Sequence, residues 1–408
     1  MTAAWRAMLL RHWWRWSLAA LLLVVLVGHA ALWHVSTRQL EKGFAQWLAL
    51  QRQAGWSVEA GESRRGGYPF AAHLQVPEIH LQASNPELPT ATTPTTTLPT
   101  ATISGLAWQA QRLSLSVSIW QPRKLIISAS GAQSLRLGPG LDIPFRADSL
   151  HLVFPLEAGF PRWSEFSLAH LRAGMPLADG TASLTLQNLH IRGELHPAAP
   201  QGEAAITLAI RGQALRLPDH LLPDHLLPGN LLPGRLPIDG KPGSPAAALS
   251  WALGPDIASF ELDAHLGGPL PRLTTPGINP IQAASQWRDG GGLVEIERLH
   301  LQWGVLTVTS SATLALDAQL QPMGTATLHM AGQAAALDAM VAATLLSPDA
   351  AQMAKTVAAM FAPPTGTAAT MSPSGEPMVE LPLSLQNRRL ALRQFPLTRL
   401  PVLTWPGQ

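Results

Sequence analysis

The stretch RRGGYPF, Arg64 to Phe70, places two guanidinium groups beside two glycines. Backbone amides freed by glycine next to arginines can cradle an anion, so a phosphate loop is one chemistry this pattern offers. Such a loop should open a helix. The residues that follow, AAHLQVPEIHL, instead read as a strand interrupted at Pro77. The residues therefore read as a strand-initiating turn. Gly66 and Gly67 permit the reversal, Pro69 holds the residue before it extended, and Tyr68 and Phe70 plug opposite faces of the strand.

Other chemistry-bearing residues are scattered. His220 and His225 each follow an aspartate inside LPDHLLPDHLLPGNLLPGRLP, but a five-residue repeat produces that spacing without a metal, and no further ligand cluster lies nearby. His80, His190, His265, His300 and His329 fall in alternating stretches, where a histidine on a polar sheet face is ordinarily solvated. Asp142, Asp148, Glu157 and Glu165 group only loosely and define no acid/base pair. The chain has no cysteine and no Walker loop, HExxH, GxSxG, SxxK or dinucleotide fingerprint. No catalytic residue, cofactor or metal is assigned. An enzyme remains open only through residues distant in sequence.

The elements that must position these residues begin with SLAALLLVVLVGHAALWHV, Ser17 to Val35, an uncharged run close to the length a bilayer helix needs. Arg6, Arg11 and Arg15 precede it and no acid appears before Glu41, so the N-terminus is expected in the cytoplasm and the rest in the periplasm of an inner-membrane protein. Trp13, Trp14, Trp16 and Trp33 suit the two interfaces. The alternative is a cleaved signal peptide, with Leu18 to Val27 as its apolar core and Gly28-His29-Ala30 as a small-x-small site. Residues 1–16 read as a basic tail, 17–35 as the span and 36–55 as an amphipathic stalk. Leu40, Phe44, Trp47 and Leu48 repeat there at helical spacing, and Gly55 stops the helix.

Period-two alternation over Ser114–Trp120, Leu150–Phe154, Ser183–Gln187, Phe260–Leu266, Leu306–Asp317 and Val379–Gln386 predicts a mainly β protein. The expected fold is a large curved antiparallel sheet, or a sandwich. Residues 56–216 and 246–408 form two β-rich halves around a proline-rich linker, 217–245. The second half carries a short helical pair, 334–361, capped at Ser347-Pro348-Asp349. Asp289–Gly292 and Gln321–Gly324 read as turns between strands, and the Thr/Pro segment 88–102 as an exposed loop. Charged residues make up 13% of the chain with a net charge of +2, and no basic stripe suggests nucleic acid.

So many strands expose more apolar face than one helical pair can cover. Either the sheet closes on itself, leaving a tethered module that binds an envelope protein partner, or it forms a trough that accepts lipid or another amphiphile from the membrane beside it.

A set of short motifs in fixed order adds a family. They are GWSV at Gly55 to Val58, RGGYPF at Arg65 to Phe70, WQA at Trp108 to Ala110, WQP at Trp120 to Pro122, GGLVEI at Gly291 to Ile296, LQWG at Leu301 to Gly304, and ATLALDAQLQPMG at Ala312 to Gly324. With them the chain resembles domain-of-unknown-function family 2125, uncharacterised membrane-anchored exported proteins of bacteria. The Thr/Pro segment and the pentapeptide repeat depart from its pattern. The resemblance implies no reaction, cofactor or catalytic residue. It marks Gly55, Trp56, Arg65, Gly67, Tyr68, Pro69, Phe70, Gly304, Asp317 and Gly324 as motif positions with structural roles. In layout the chain is more distantly similar to AsmA-like envelope proteins, which implies an anchored, long curved sheet associated with lipid movement or outer-membrane homeostasis.

Overall fold

The computed structural model describes residues 3–83, 106–137, 141–157, 161–177, 180–218, 252–270, 280–342, 346–360, 378–393, 395–403 and 405. The Thr/Pro segment and the pentapeptide repeat beyond Pro218, with His220 and His225, lie outside these residues.

The chain opens with one helix, α1 (Ala3–Gln53), which joins the apolar run and the amphipathic stretch without a break. It stops at Gly55, where φ is +85°, as glycine allows at low cost. Seventeen strands follow among the described residues. They are β1 (Trp56–Glu59), β2 (Arg64–Gly66), β3 (Ala71–Ala83), β4 (Leu106–Ser118), β5 (Gln121–Leu137), β6 (Leu141–Arg146), β7 (Ser149–Pro155), β8 (Trp163–Leu177) and β9 (Gly180–Leu195). Then come β10 (Ala204–Arg216), β11 (Asp256–Gly267), β12 (Val294–Trp303), β13 (Leu306–Leu316), β14 (Pro322–Ala331), β15 (Val379–Gln386), β16 (Arg389–Leu392) and β17 (Phe395–Arg399).

All belong to one antiparallel sheet rather than to two packed sheets. β1 and β2 lie side by side on β3. From β3 each strand pairs with the next, β6 and β7 sharing the place between β5 and β8. β10 pairs directly with β11, so the two strand-rich halves form one continuous ladder that runs on to β17. A meander of this kind needs only local pairings, which hairpin turns such as Asn387-Arg388, both at positive φ, make in two residues.

The registers align one apolar row across twelve strands: Leu74, Leu115, Ile127, Leu152, Phe166, Ile191, Ile210, Leu262, Leu299, Ser310, Leu328 and Leu381. Only Ser310 breaks the run. The row one residue along faces the other side and is polar throughout: Gln75, Ser114, Ser128, His151, Ser167, His190, Arg211, Glu261, His300, Thr309, His329 and Glu380. Since successive strand side chains point to opposite faces, these two rows define an apolar and a polar side along the sheet.

The alternation slips once in many strands, and the slips line up. Apolar positions jump by three from Val76 to Ile79, Ala110 to Leu113, Leu168 to Leu171, Leu186 to Leu189, Gly212 to Leu215 and Ile257 to Phe260. The residues in the gap, including Glu78, Gln111, His170, Gln187, Ala214 and Ala258, are exposed and drop out of the ladder. Glu78, His170 and Ala214 sit at φ +49°, +51° and +50°, and Gly131 of β5 at +87°. The break between β6 and β7 falls on the same line, since β6 pairs Phe145 with Ala173 while β7 pairs Ser149 with Ala169. Along this line one residue drops out of each facing strand together and several take positive φ, so the pleat is creased from β3 to β11.

Helices are few. α3 (Gln333–Ala342) and α4 (Pro348–Met360) form the expected pair, with Ser347 Oγ accepting the Ala350 N–H at 3.2 Å as a cap and Lys355 on α4 paired with Asp338 on α3 at 2.5 Å. A further helix, α2 (Pro280–Asp289), corrects the reading of Asp289–Gly292 as a simple turn between strands. Those glycines end α2 and lead into β12. Gly292 leaves room for the Trp287 ring, whose Nε1 donates to Gly267 O at 2.8 Å. α2 is only ten residues long and buries just Ala283 and Ala284, too short an apolar pattern to stand out beside the glycines that follow it.

An L-residue in the left-handed region costs roughly 1–2 kcal/mol that glycine largely avoids. Ala214→Gly is therefore expected to raise the thermal midpoint of the detergent-solubilised protein and Ala214→Val to lower it. A crease that carries no backbone strain would show no difference between the two.

Candidate functional site

The turn that opened the sequence reading sits between β2 and β3, which pair Arg64 with Gln75 and Gly66 with His73. Gly67, at φ +87°, lets its carbonyl accept the N–H of Phe70 at 3.1 Å and of Ala71 at 2.9 Å. A Cβ there would lie 2.6 Å from Ala71 O, so the position tolerates little besides glycine.

This turn is fastened to α1. His29 Nε2 lies 2.6 Å from Pro69 O, and Trp33 Nε1 donates to Ala71 O at 2.9 Å. The Tyr68 ring meets His29 and Trp33 edge-on, with centroids 6.0 and 5.5 Å apart, an arrangement aromatic rings favour. One turn further on, Thr37 is 1% exposed and returns its hydroxyl to Trp33 O and His34 O. Glu41 then pairs with Arg65. Positions 29, 33, 37 and 41 are four apart and share a helix face. Arg65 is 39% exposed, so this ion pair positions more than it stabilises.

Beyond Glu41 the same helix covers apolar sheet. Phe44 joins Leu74, Val76, Ile79, Leu113 and Leu115 in the buried core, with Leu40 and Leu48 packed at its margin. Phe44 also stacks on Trp47, 5.9 Å between centroids. Arg52 closes the junction by donating to Val58 O at 2.9 Å.

Past β5 this cover ends. On the apolar row Leu152, Phe166, Ile191, Ile210, Leu262, Leu328 and Leu381 are half-buried, and Leu299 is 39% exposed. Among the described residues no second sheet faces them. The polar side is laced with ion pairs. Arg211 binds both oxygens of Asp263 at 2.7 Å and approaches Glu261 at 3.6 Å, and His190 meets Glu165 at 3.5 Å. Water suits that side. An uncovered apolar row suits hydrocarbon.

The other motif residues lie along the sheet in two groups. Gly55 and Trp56 lead into β1, where Trp56 pairs with Ala83 at the end of β3 away from the turn. Gly304, Asp317 and Gly324 lie at β12 to β14. Gly304 is at φ +54° in a two-residue turn, and a Cβ on it would come 2.1 Å from Leu253 O. Asp317 Oδ1 accepts the N–H groups of Gln319 and Gln321, both at 2.8 Å. A Cβ on Gly324 would come 2.1 Å from Thr313 O. The structure thus brings five of the ten motif positions, Arg65 and Gly67 to Phe70, to the helix junction, leaves Gly55, Trp56, Gly304 and Asp317 in or beside other turns, and places Gly324 inside β14, where the sequence reading had a turn.

Asp142, Asp148, Glu157 and Glu165 are not brought together; each pairs with a different partner, Arg136, His170, Arg162 and His190. His265, by contrast, keeps a buried Nδ1 with no hydrogen-bond partner while its Nε2 lies 3.2 Å from Glu297. The sequence reading missed His29 and Trp33 as partners of the turn. The regular four-residue step from His29 through Trp33 and Thr37 to Glu41 was the available signal.

A family profile described as an uncharacterised protein conserved in bacteria (DUF2125) matches residues 33–401, and the chain belongs to that family. No curated protein and no solved structure matches it.

Tyr68→Ala removes two ring contacts and Gly67→Val forces a clash. Both are expected to loosen the junction, read as faster tryptic cleavage at Arg64 and Arg65 and a lower melting temperature. A variant that loses its cellular role with cleavage and melting unchanged would show that the turn is a binding site instead.

Proposed function

We propose that this member of domain-of-unknown-function family 2125 is a single-span inner-membrane protein, N-terminus in the cytoplasm, whose periplasmic sheet holds lipid or another amphiphile for envelope maintenance. α1 carries an apolar run long enough to cross a bilayer, with Leu18 and Leu21 to Val27 exposed to the surroundings. The arginines before it favour this orientation. Retention of the helix, rather than cleavage after Ala30, is supported by the contact of His29, which cleavage there would remove, with Pro69 O in the first turn of the sheet.

The observation that carries the lipid reading is the apolar row, broken only at Ser310 over twelve strands and half-buried or more open past β5. Burial is worth about 25 cal/mol per Å² of apolar surface, so such a row left in water is costly. A lipid chain gains about 0.8 kcal/mol for each methylene kept from water. It is already dry in the bilayer, so moving it onto a dry face changes little. The crease supports a trough, because a shared line of interruptions from β3 to β11 gives the face a long axis. The single long meander is also the layout of AsmA-like envelope proteins, a fold-level analogy.

A photo-crosslinking residue at Ile210 or Leu262 is expected to yield phospholipid adducts in cells, whereas one at Gln213 or Glu295 on the polar side yields none. Leu262→Asp should lower the lipid retained in native mass spectra with the protein still folded. Adducts from Ile210 and Leu262 to one fixed protein, with lipid never recovered, would establish the second reading, a scaffold whose apolar face binds an envelope partner.

A further inference from the structure

We infer that the turn Gly67–Phe70 and the neighbouring β4–β5 tip at Ile119–Trp120 form an aromatic edge seated in the lipid interface, on the side of the bilayer away from the N-terminus. This rests on the reading of residues 17–35 as a membrane span. Depth is the first argument. At 1.5 Å per residue, His29 and Trp33 lie about 9 and 3 Å short of the end of that span, and both bond directly to the turn, at Pro69 O and Ala71 O. A group held there cannot stand clear of the membrane.

Its chemistry fits that depth. Phe70 is 71% exposed and Tyr68 53%. The β4–β5 tip is tied alongside, because Ile119 N donates to Phe70 O at 3.3 Å and Ala71 pairs with Ser118. There Trp120 is 79% exposed, and Arg123 and Lys124 follow it on the solvent side. Aromatic rings with cations beside them are what the boundary between acyl chains and anionic headgroups accommodates. The next row into the sheet, Ala72, Val117 and Leu125, is already buried and apolar. The apolar side of the sheet therefore begins at the leaflet itself, with its first rows covered and its open rows further along.

The cysteine-free chain makes the test direct. Phe70→Cys, Trp120→Cys, Gln109→Cys and Leu22→Cys are made in the full-length protein, each labelled with a polarity-sensitive fluorophore and reconstituted into vesicles of neutral and anionic phospholipid. Gln109 lies on β4 about 30 Å from the tip, at roughly 3.3 Å per residue. Labels at 70 and 120 are expected to shift to the blue and lose emission to nitroxides near the headgroups, the label at 22 to nitroxides deep in the chains, and the label at 109 to neither. If 22 is quenched while 70 and 120 behave like 109, the edge is not in lipid and the inference fails with the span intact. Emission at 70 and 120 that shifts with protein concentration instead of lipid would assign the edge to a second copy and overturn it equally. An unquenched label at 22 removes the span, and the inference with it.

Discussion

A single β-sheet has two faces, and when one is apolar some other layer must meet it. In this protein the other layer covers only part of the face. α1 buries the stretch over β3 to β5, where Leu74, Val76 and Ile79 are essentially sealed. The remaining strands carry the same row onward with side chains half in the open. Packing accounts for the first part, and the second acquires its partner from outside the described fold.

The same helix joins that covered face to a long apolar run. Its first half has the length and composition of a span, while its second half is core. Between them the positions His29, Trp33, Thr37 and Glu41 hold the β2–β3 turn by hydrogen bonds, ring contacts and an ion pair. The sheet is consequently docked on α1 and does not hang from it by a flexible tether. No residue is asked to perform a reaction. What the geometry offers is a surface of one polarity, a fixed junction with the apolar helix, and a crease shared by many strands.

Much of this was legible in advance. Hydropathy marked the apolar helix, and alternation marked the strands, with Val379–Gln386 recovered residue for residue. The capped helical pair was also readable, since Ser347 and Pro348 are local signals. Locality explains each success, because the turn, cap or alternating side chains interact with neighbours only a few residues away. The triple glycine was misassigned for the complementary reason. Glycine signals a change of direction but not whether a helix or a strand precedes it.

By itself the sequence determined the period of the strands, the apolar run and the motif turn, since these follow from backbone geometry and the chemistry of adjacent side chains. Only the tertiary structure decided that the strands form one sheet and not two, that their slips in phase coincide along one line, and that Tyr68 rests on His29 and Trp33. Those outcomes depend on which residues stand opposite one another across separate strands. Register is fixed by the sum of many pairings, and no single segment contains it.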